Sequence, residues 1–316
     1  MALTMVPDGS VLTHTLPTEQ LRIDGRPKPP LRDELRRIDG TRNALSVASA
    51  WIQTVAVIGG AIWLHHPVVW VAAFLLMGRA NALFNILAHE SAHRLLFRRK
   101  RVNDFAGRWL LGYPFWVVTD LYRRGHMAHH RDELGPEEPD TNLYAHYPIT
   151  RASLRRKLTR DALGISGFKL LRGLLRGLKP RTTRPYALKV LGAQAVIFAA
   201  FTAIGRPELY LFLWFAPRMT VWQVLNRLRA IAEHGGMERS DDRRRTTHHV
   251  RQGPVARFWI VPYNTGWHLA HHVDIAVPWR NLPRFHHELV AAGYITPDLT
   301  YPSYWALWRK LASRPA

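Results

Sequence analysis

The chain has no cysteine. That excludes disulfides, thiolate metal sites, iron–sulfur clusters and cysteine nucleophiles together. Acidic residues are scarce as well: 23 Asp and Glu stand against 44 Lys and Arg, a formal net charge of +21. Such a balance suggests nucleic acid or an anionic membrane surface. No aromatic-interleaved basic motif of the RNA-binding kind is present, so no nucleic-acid partner is expected. The start of the chain lacks a basic stretch followed by an apolar run, so it does not read as a secretory signal.

What is abundant is histidine, 17 residues in 316. With cysteine absent, imidazole is the only plentiful nitrogen or sulfur metal ligand. The apolar content of 47% is ordinary, but it is segregated into long uncharged runs between Arg-dense blocks. Four runs stand out, about 46–64, 68–87, 188–204 and 208–224, in two pairs. His65-His66-Pro67 separates the first pair and Gly205-Arg206-Pro207 the second. Each is near the ~20 apolar residues that cross a bilayer as a helix. The expected fold is therefore an all-α integral membrane protein. Four transmembrane helices form two hairpins, with a helical cap on the cytosolic side.

Charge placement orients it. The hairpin turns hold one Arg, Arg206, whereas the N-terminal segment, the 94–187 loop and the tail from Arg227 hold almost all the rest. The positive-inside bias then puts both termini and the cap in the cytosol, and the expected location is the inner membrane of a bacterium. The Arg blocks 98–101, 155–157 and 243–245 read mostly as a solvated face against anionic head groups. A short apolar stretch, 109–118, is broken by Gly112 and Pro114 and is expected in the interface or the cap. The predicted division is a polar segment 1–45, disordered at its extreme N-terminus, a membrane domain 46–290 and a cytosolic tail 291–316.

Three histidine clusters lie on the cytosolic side of this topology: His89-Glu-Ser-Ala-His93, His126-Met-Ala-His129-His130 and His268-Leu-Ala-His271-His272. Spacings of three and four put the imidazoles of each cluster on one helix face. The first alone is ambiguous, because H-E-x-x-H is also a zinc protease signature. Two copies of H-x-x-H-H are much harder to assign to chance or packing. Eight histidines exceed the four of a structural zinc and the three of a catalytic one; two metals sharing them account for the number. Neutral imidazoles bind transition-metal ions and leave positions open, without an oxidisable thiolate nearby.

With these boxes the chain resembles the membrane fatty acid desaturase and hydroxylase family over about residues 46–290. Pro139-Asp140, Glu233-His234, Tyr263-Asn264 and the run 277–283 with His286 add to the likeness. The resemblance implies a non-haem di-iron centre that activates O2 with electrons from an external donor of the ferredoxin, rubredoxin or cytochrome b5 kind, served by a reductase. It implies His89, His93, His126, His129, His130, His268, His271 and His272 as ligands, His234 as a ninth, and Asn264 as a residue that reaches iron through water. No His-Pro-Gly-Gly motif of a fused cytochrome b5 is present.

Asp140 and Glu233, with Glu90 and Asp274, are candidates by proximity to orient the imidazoles; Glu90 reads equally well as a helix-surface carboxylate. His14, His65, His66, His146, His248, His249, His286 and His287 fall outside the box pattern and read as surface residues. Arg79 and Arg218 fall within expected spans, where a cation is costly. The plainer reading lets each snorkel or bond to carbonyls between helices; the functional one draws a substrate carboxylate or polar head.

The expected function is an O2-dependent oxidoreductase on a lipid-like substrate, foremost a fatty acyl desaturase. Hydroxylation of a lipid, alkane or carotenoid begins with the same hydrogen abstraction. A membrane H-E-x-x-H zinc protease is the rival from another class, and leaves both H-x-x-H-H clusters without a role. A metal transporter would line its spans with histidine, which this chain does not.

Overall fold

The computed structural model describes residues 4–315. The expected disorder of the extreme N-terminus falls, for residues 1–3, outside them. The chain is mostly helical and forms two compact units, each assembled from separated stretches. Unit 1 is Met1–Ile38, Arg124–Arg155 and Arg227–Ala316; unit 2 is Asp39–Arg123 and Arg156–Asn226. The helices that matter below are α1 (Gly40–Leu64), α2 (Pro67–His93), α3 (Thr119–Arg131), α4 (Ile165–Arg176), α5 (Arg184–Ala203), α6 (Ala216–Met219), α7 (Val221–His234), α8 (His268–Val273) and α9 (Leu282–Ala291).

In unit 2, three helices are long and apolar enough to cross a membrane: the one ending at Leu64, α2 and α5. The chain turns sharply between α1 and α2. His65 closes α1 in the left-handed region, the His66 ring accepts from Val68 N–H, and Pro67 supplies a first helical residue that needs no donor. Apolar side chains cover the outside of this unit, among them Ile52, Val55, Trp63, Val68 and Val196. The fourth apolar segment is interrupted. Pro217 lacks an N–H and would clash with a carbonyl one turn back. The chain accommodates it with π-helical turns over Tyr210–Phe215, then α6 and a break at Thr220 before α7.

Within the stretch 109–118, residues 111–115 pack inside unit 2, whereas Trp109 and Leu110 are exposed. Tyr113, Pro114 and Phe115 are buried. Breaking the helix there frees carbonyls that must find donors in an apolar surrounding. Gln194 of α5 donates to the carbonyls of Tyr113 (2.8 Å) and Pro114 (2.9 Å), and the Trp214 indole donates to Pro114 at 3.2 Å. Two polar side chains thus make an irregular segment tolerable where the sequence pattern alone argued against it.

Unit 1 is held by a different core. Leu21, Leu31 and Leu35 pack with Leu269, Val273, Val277, Phe285 and Leu289, joining the N-terminal segment to α8 and α9. Arg36 makes a bidentate pair with buried Asp274 (2.8 Å at closest) and Asn281 donates to the Leu35 carbonyl at 2.7 Å. A two-residue parallel pairing joins His249–Val250 to Thr300–Tyr301. The Arg243–Arg245 block is not a solvated face. Arg244 is buried, pairs with Asp242 at 2.7 Å, donates to the Thr13 carbonyl and lies over the Tyr294 ring.

Candidate metal centre

In unit 2, His89 and His93 lie one turn apart at the end of α2, with ring centroids separated by 4.6 Å. This helix end is tied down from several sides. Arg94 closes it in the left-handed region. Arg123 donates to the carbonyls of Ser91 and Ala92, both at 2.9 Å, and to Asp104 at 2.6 Å. Asn103 donates to the Ser91 carbonyl at 2.9 Å. Gly107 approaches so closely that a Cβ there would meet Ser91 Oγ at 1.9 Å. Orphan carbonyls of a last helical turn need such donors; satisfying them fixes the backbone that carries both histidines. Glu90, read as a possible surface carboxylate, is buried.

In unit 1, α3, α7 and α8 bring the other seven predicted histidines together. Two triads share no member, His126, His130 and His271, and His234, His268 and His272; a third group, His129, His130 and His272, takes one residue from each. Within each, one ring nitrogen per residue lies within 4.8 Å of the others. His129 stands next to the second triad, its ring 4.8 Å from that of His234 and 5.0 Å from that of His272. Gly236, with φ +73, turns the chain away after α7; a Cβ there would meet the Tyr147 carbonyl oxygen at 2.7 Å.

Partners on the far side of three rings set their tautomers. His234 Nδ1 donates to the Thr246 carbonyl at 2.9 Å. His272 Nδ1 faces the Glu133 carboxylate, and His129 Nδ1 faces Glu138. Glu133 is held in turn by Arg243 (2.9 Å) and the Thr246 hydroxyl, and Glu138 by the Leu134 N–H. Burial, reinforced by the neighbouring imidazoles, holds the pKa values of His234, His268 and His272 well below the usual histidine range. All three are neutral at pH 7. Burial opposes charge on His129, but Glu138 outweighs it and raises the pKa, so a metal there competes with a proton.

This arrangement fits a metal ion by its own chemistry. His268 Nε2 lies 3.0 Å from both His234 Nε2 and His272 Nε2. With their Nδ1 atoms protonated, His234 and His272 both direct lone pairs inward, and His268 can offer a proton to only one of them. A cation between them relieves the conflict. His126–His130 and His130–His271 show the same Nε2 pairing at 3.0 and 3.2 Å. Two imidazoles sharing an ion at ~2.1 Å and right angles place their nitrogens about 3.0 Å apart.

The remaining predicted residues lie around this cluster. Glu233 is 3.6 Å from His268 Nδ1 and 3.5 Å from Arg229; burial raises its pKa against the pull of Arg229. Asp140 is raised by burial and lowered by the charge of His129. Asn264, in a left-handed turn before α8, donates to the Trp279 carbonyl at 3.3 Å. Glu133 and Glu138 were missed. Their signal was an acidic run, five acids between residues 132 and 140 of a chain short of acids. His248, His249 and His286 are buried rather than superficial. His286 stacks between Trp267 (4.1 Å) and His249 (4.6 Å), and burial holds it at about 3 and His248 and His249 at about 4.

A fatty acid desaturase family model matches residues 63–307. The chain is 25% identical over 235 residues to a dihydrorhizobitoxine desaturase of Bradyrhizobium elkanii, a match covering 69% of this chain and 65% of that protein. It is 24% identical over 292 residues to an sn-1 oleoyl-lipid 12-desaturase of Arthrospira platensis, covering 85% of this chain and 80% of the other.

Proposed function

The chain belongs to the fatty acid desaturase family, and from that premise we propose that it is a membrane-bound, O2-dependent di-iron oxidoreductase that introduces a double bond into a lipid-like acyl chain. The observation that carries the reading is the gathering of seven histidines, with one triad, His126, His130 and His271, at one end and another, His234, His268 and His272, at the other. One triad would serve one ion; two call for two. The proposed ligands are His89, His93, His126, His129, His130, His234, His268, His271 and His272.

Two bound irons would supply the oxidising power by which two hydrogens leave adjacent methylenes and, together with O2, two electrons and two protons, end in two waters. The chain's own part is to keep the donor nitrogens aimed. Glu133, Glu138 and the Thr246 carbonyl fix protons on Nδ1 of His272, His129 and His234, leaving Nε2 for metal. Glu233 does the same more loosely for His268. Asn264 is a water-mediated contact in this proposal, and Asp140 a second acid near His129. Electrons come from a separate carrier of the ferredoxin, rubredoxin or cytochrome b5 kind with its reductase.

The proposed topology has four spans in two hairpins, with both termini cytosolic in a bacterial inner membrane. The three long apolar helices, the apolar exterior of unit 2 and the basic loops support it. The name of both relatives favours desaturation over hydroxylation. The zinc protease reading would use His89, Glu90 and His93 and leave both triads of unit 1 idle. The test is turnover of iron-loaded protein with O2, a reduced ferredoxin and an acyl lipid, read by mass spectrometry. A product lacking two hydrogens is expected; a product gaining one oxygen would make the protein a hydroxylase.

A further inference from the structure

Arg218 lies on α6 and is only 8% exposed. No carboxylate, carbonyl or hydroxyl among the described residues accepts a hydrogen bond from its guanidinium. Its one charge-related contact is the face of Trp222, 5.6 Å from Cζ to the ring centroid. Arg79, the other cation in an expected span, shows the contrast, since it donates to Gln53 of α1 at 3.1 Å. A guanidinium stays charged at any cellular pH. Held away from water without an anion, it carries the full cost of desolvation.

A second donor lies nearby. Trp116 packs edge-on against Phe215 at 5.6 Å, and Phe215 precedes Arg218 by three residues, across the junction of the π-helical turns and α6. The Trp116 indole N–H is buried without an acceptor. The residue also holds φ +64, a left-handed conformation that bulky side chains rarely adopt. The backbone under Arg218 is clamped: Gln223 donates to its carbonyl at 3.0 Å. Gly167 of α4 lies so close that a Cβ would come 2.4 Å from the Met219 carbonyl oxygen. Two buried donors on a fixed frame, both lacking an acceptor, describe a receptor for oxygen.

We propose that Arg218 and Trp116 form a subsite for an anionic oxygen, a carboxylate or phosphate, carried by an apolar molecule bound in unit 2. Taking that molecule to be the substrate rests on the proposed function; the anion subsite does not. The two donors then set which lipids bind well: those with a free acid rather than an ester of it.

The test is equilibrium binding of radiolabelled oleic acid to the full-length protein as purified, under argon so that nothing turns over. Methyl oleate and dioleoyl phosphatidic acid are the competitors. Arg218→Gln is expected to weaken oleate at least ~tenfold, the loss of one charge-assisted pair, while methyl oleate binds variant and parent alike. Trp116→Phe, which removes only the N–H, should weaken oleate about threefold. Stronger competition by phosphatidic acid than by oleic acid would assign the subsite to a bilayer phosphate instead of a substrate carboxylate. Should Arg218→Gln fail to fold, Arg218→Lys and Trp116→Phe carry the comparison. Unchanged oleate affinity in Arg218→Gln, or in both substitutes, overturns the subsite. Iron content and turnover of the same preparation decide the proposed function separately.

Discussion

Ile52, Val55, Trp63 and Val196 face outward in unit 2, while in unit 1 His129, His234, His271, Glu133 and Glu138 are buried. Nearly all the large exposed apolar side chains belong to unit 2, and most of the buried ionisable ones to unit 1. In the proposed topology water surrounds unit 1 and lipid surrounds unit 2. In unit 2 the outside can be as apolar as the core, and each irregular backbone group has to be met by a side chain, as Gln194 does for Tyr113 and Pro114. In unit 1 the costly groups His129, His234, His272, Glu133 and Glu138 are paired with one another or with Thr246, around a cluster of lone pairs. Burial by itself therefore says little; what a buried group is paired with says more.

The contrast breaks most sharply at the triads. His271→Ala and His129→Ala should abolish turnover and lower iron content while membrane insertion persists, measured on membranes and on purified protein. His286→Ala should keep its iron, although truncating a stacked, buried ring costs on the order of 3 kcal/mol and lowers the unfolding temperature. Equal iron loss from His286→Ala would erase the distinction between histidines that hold metal and those that only pack.

Next in size is the medium itself. Val196 of unit 2 and Val255 of unit 1 are about equally exposed, at 71% and 74%. Val196→Arg should cost insertion about 2.5–3.5 kcal/mol if that surface meets lipid. Val255→Arg should be nearly silent. A glycosylation-based insertion assay separates the two, and equal responses would contradict the division into a lipid-facing and a water-facing unit.

Smaller effects sharpen the account of the network. Glu133→Gln should weaken metal binding ~10–100-fold, the usual range for a partner that orients a ligand, in a titration of apo-protein with ferrous iron. Glu233→Gln, at 3.6 Å from His268, should keep both irons. Asn264→Ala should leave iron content unchanged and lower turnover least of all, because the amide already has the Trp279 carbonyl as a partner.

The histidine boxes were legible because helical spacing and ligand chemistry coincide in five-residue patterns, and His234 through the resemblance together with its place a few turns beyond the fourth apolar run. The apolar runs gave three long helices directly. The fourth segment reads as apolar in sequence, yet Pro217 and the π-helical turns divide it. Glu133, Glu138 and the Thr246 carbonyl were hidden for another reason. Their partners lie 9 residues away for Glu138 and His129, 12 for Thr246 and His234, and 139 for Glu133 and His272, and no local period marks such pairs. The buried stack of His249, Trp267 and His286 escaped likewise, since a histidine in a polar stretch carries no sign of burial.

The most direct test of the central claim is metal quantification on purified, iron-reconstituted protein beside His268→Ala and His126→Ala. Two irons per chain are expected in the parent, with each variant losing iron mainly from one site because the triads share no residue. A single zinc per chain, unaffected by either substitution, would contradict the account.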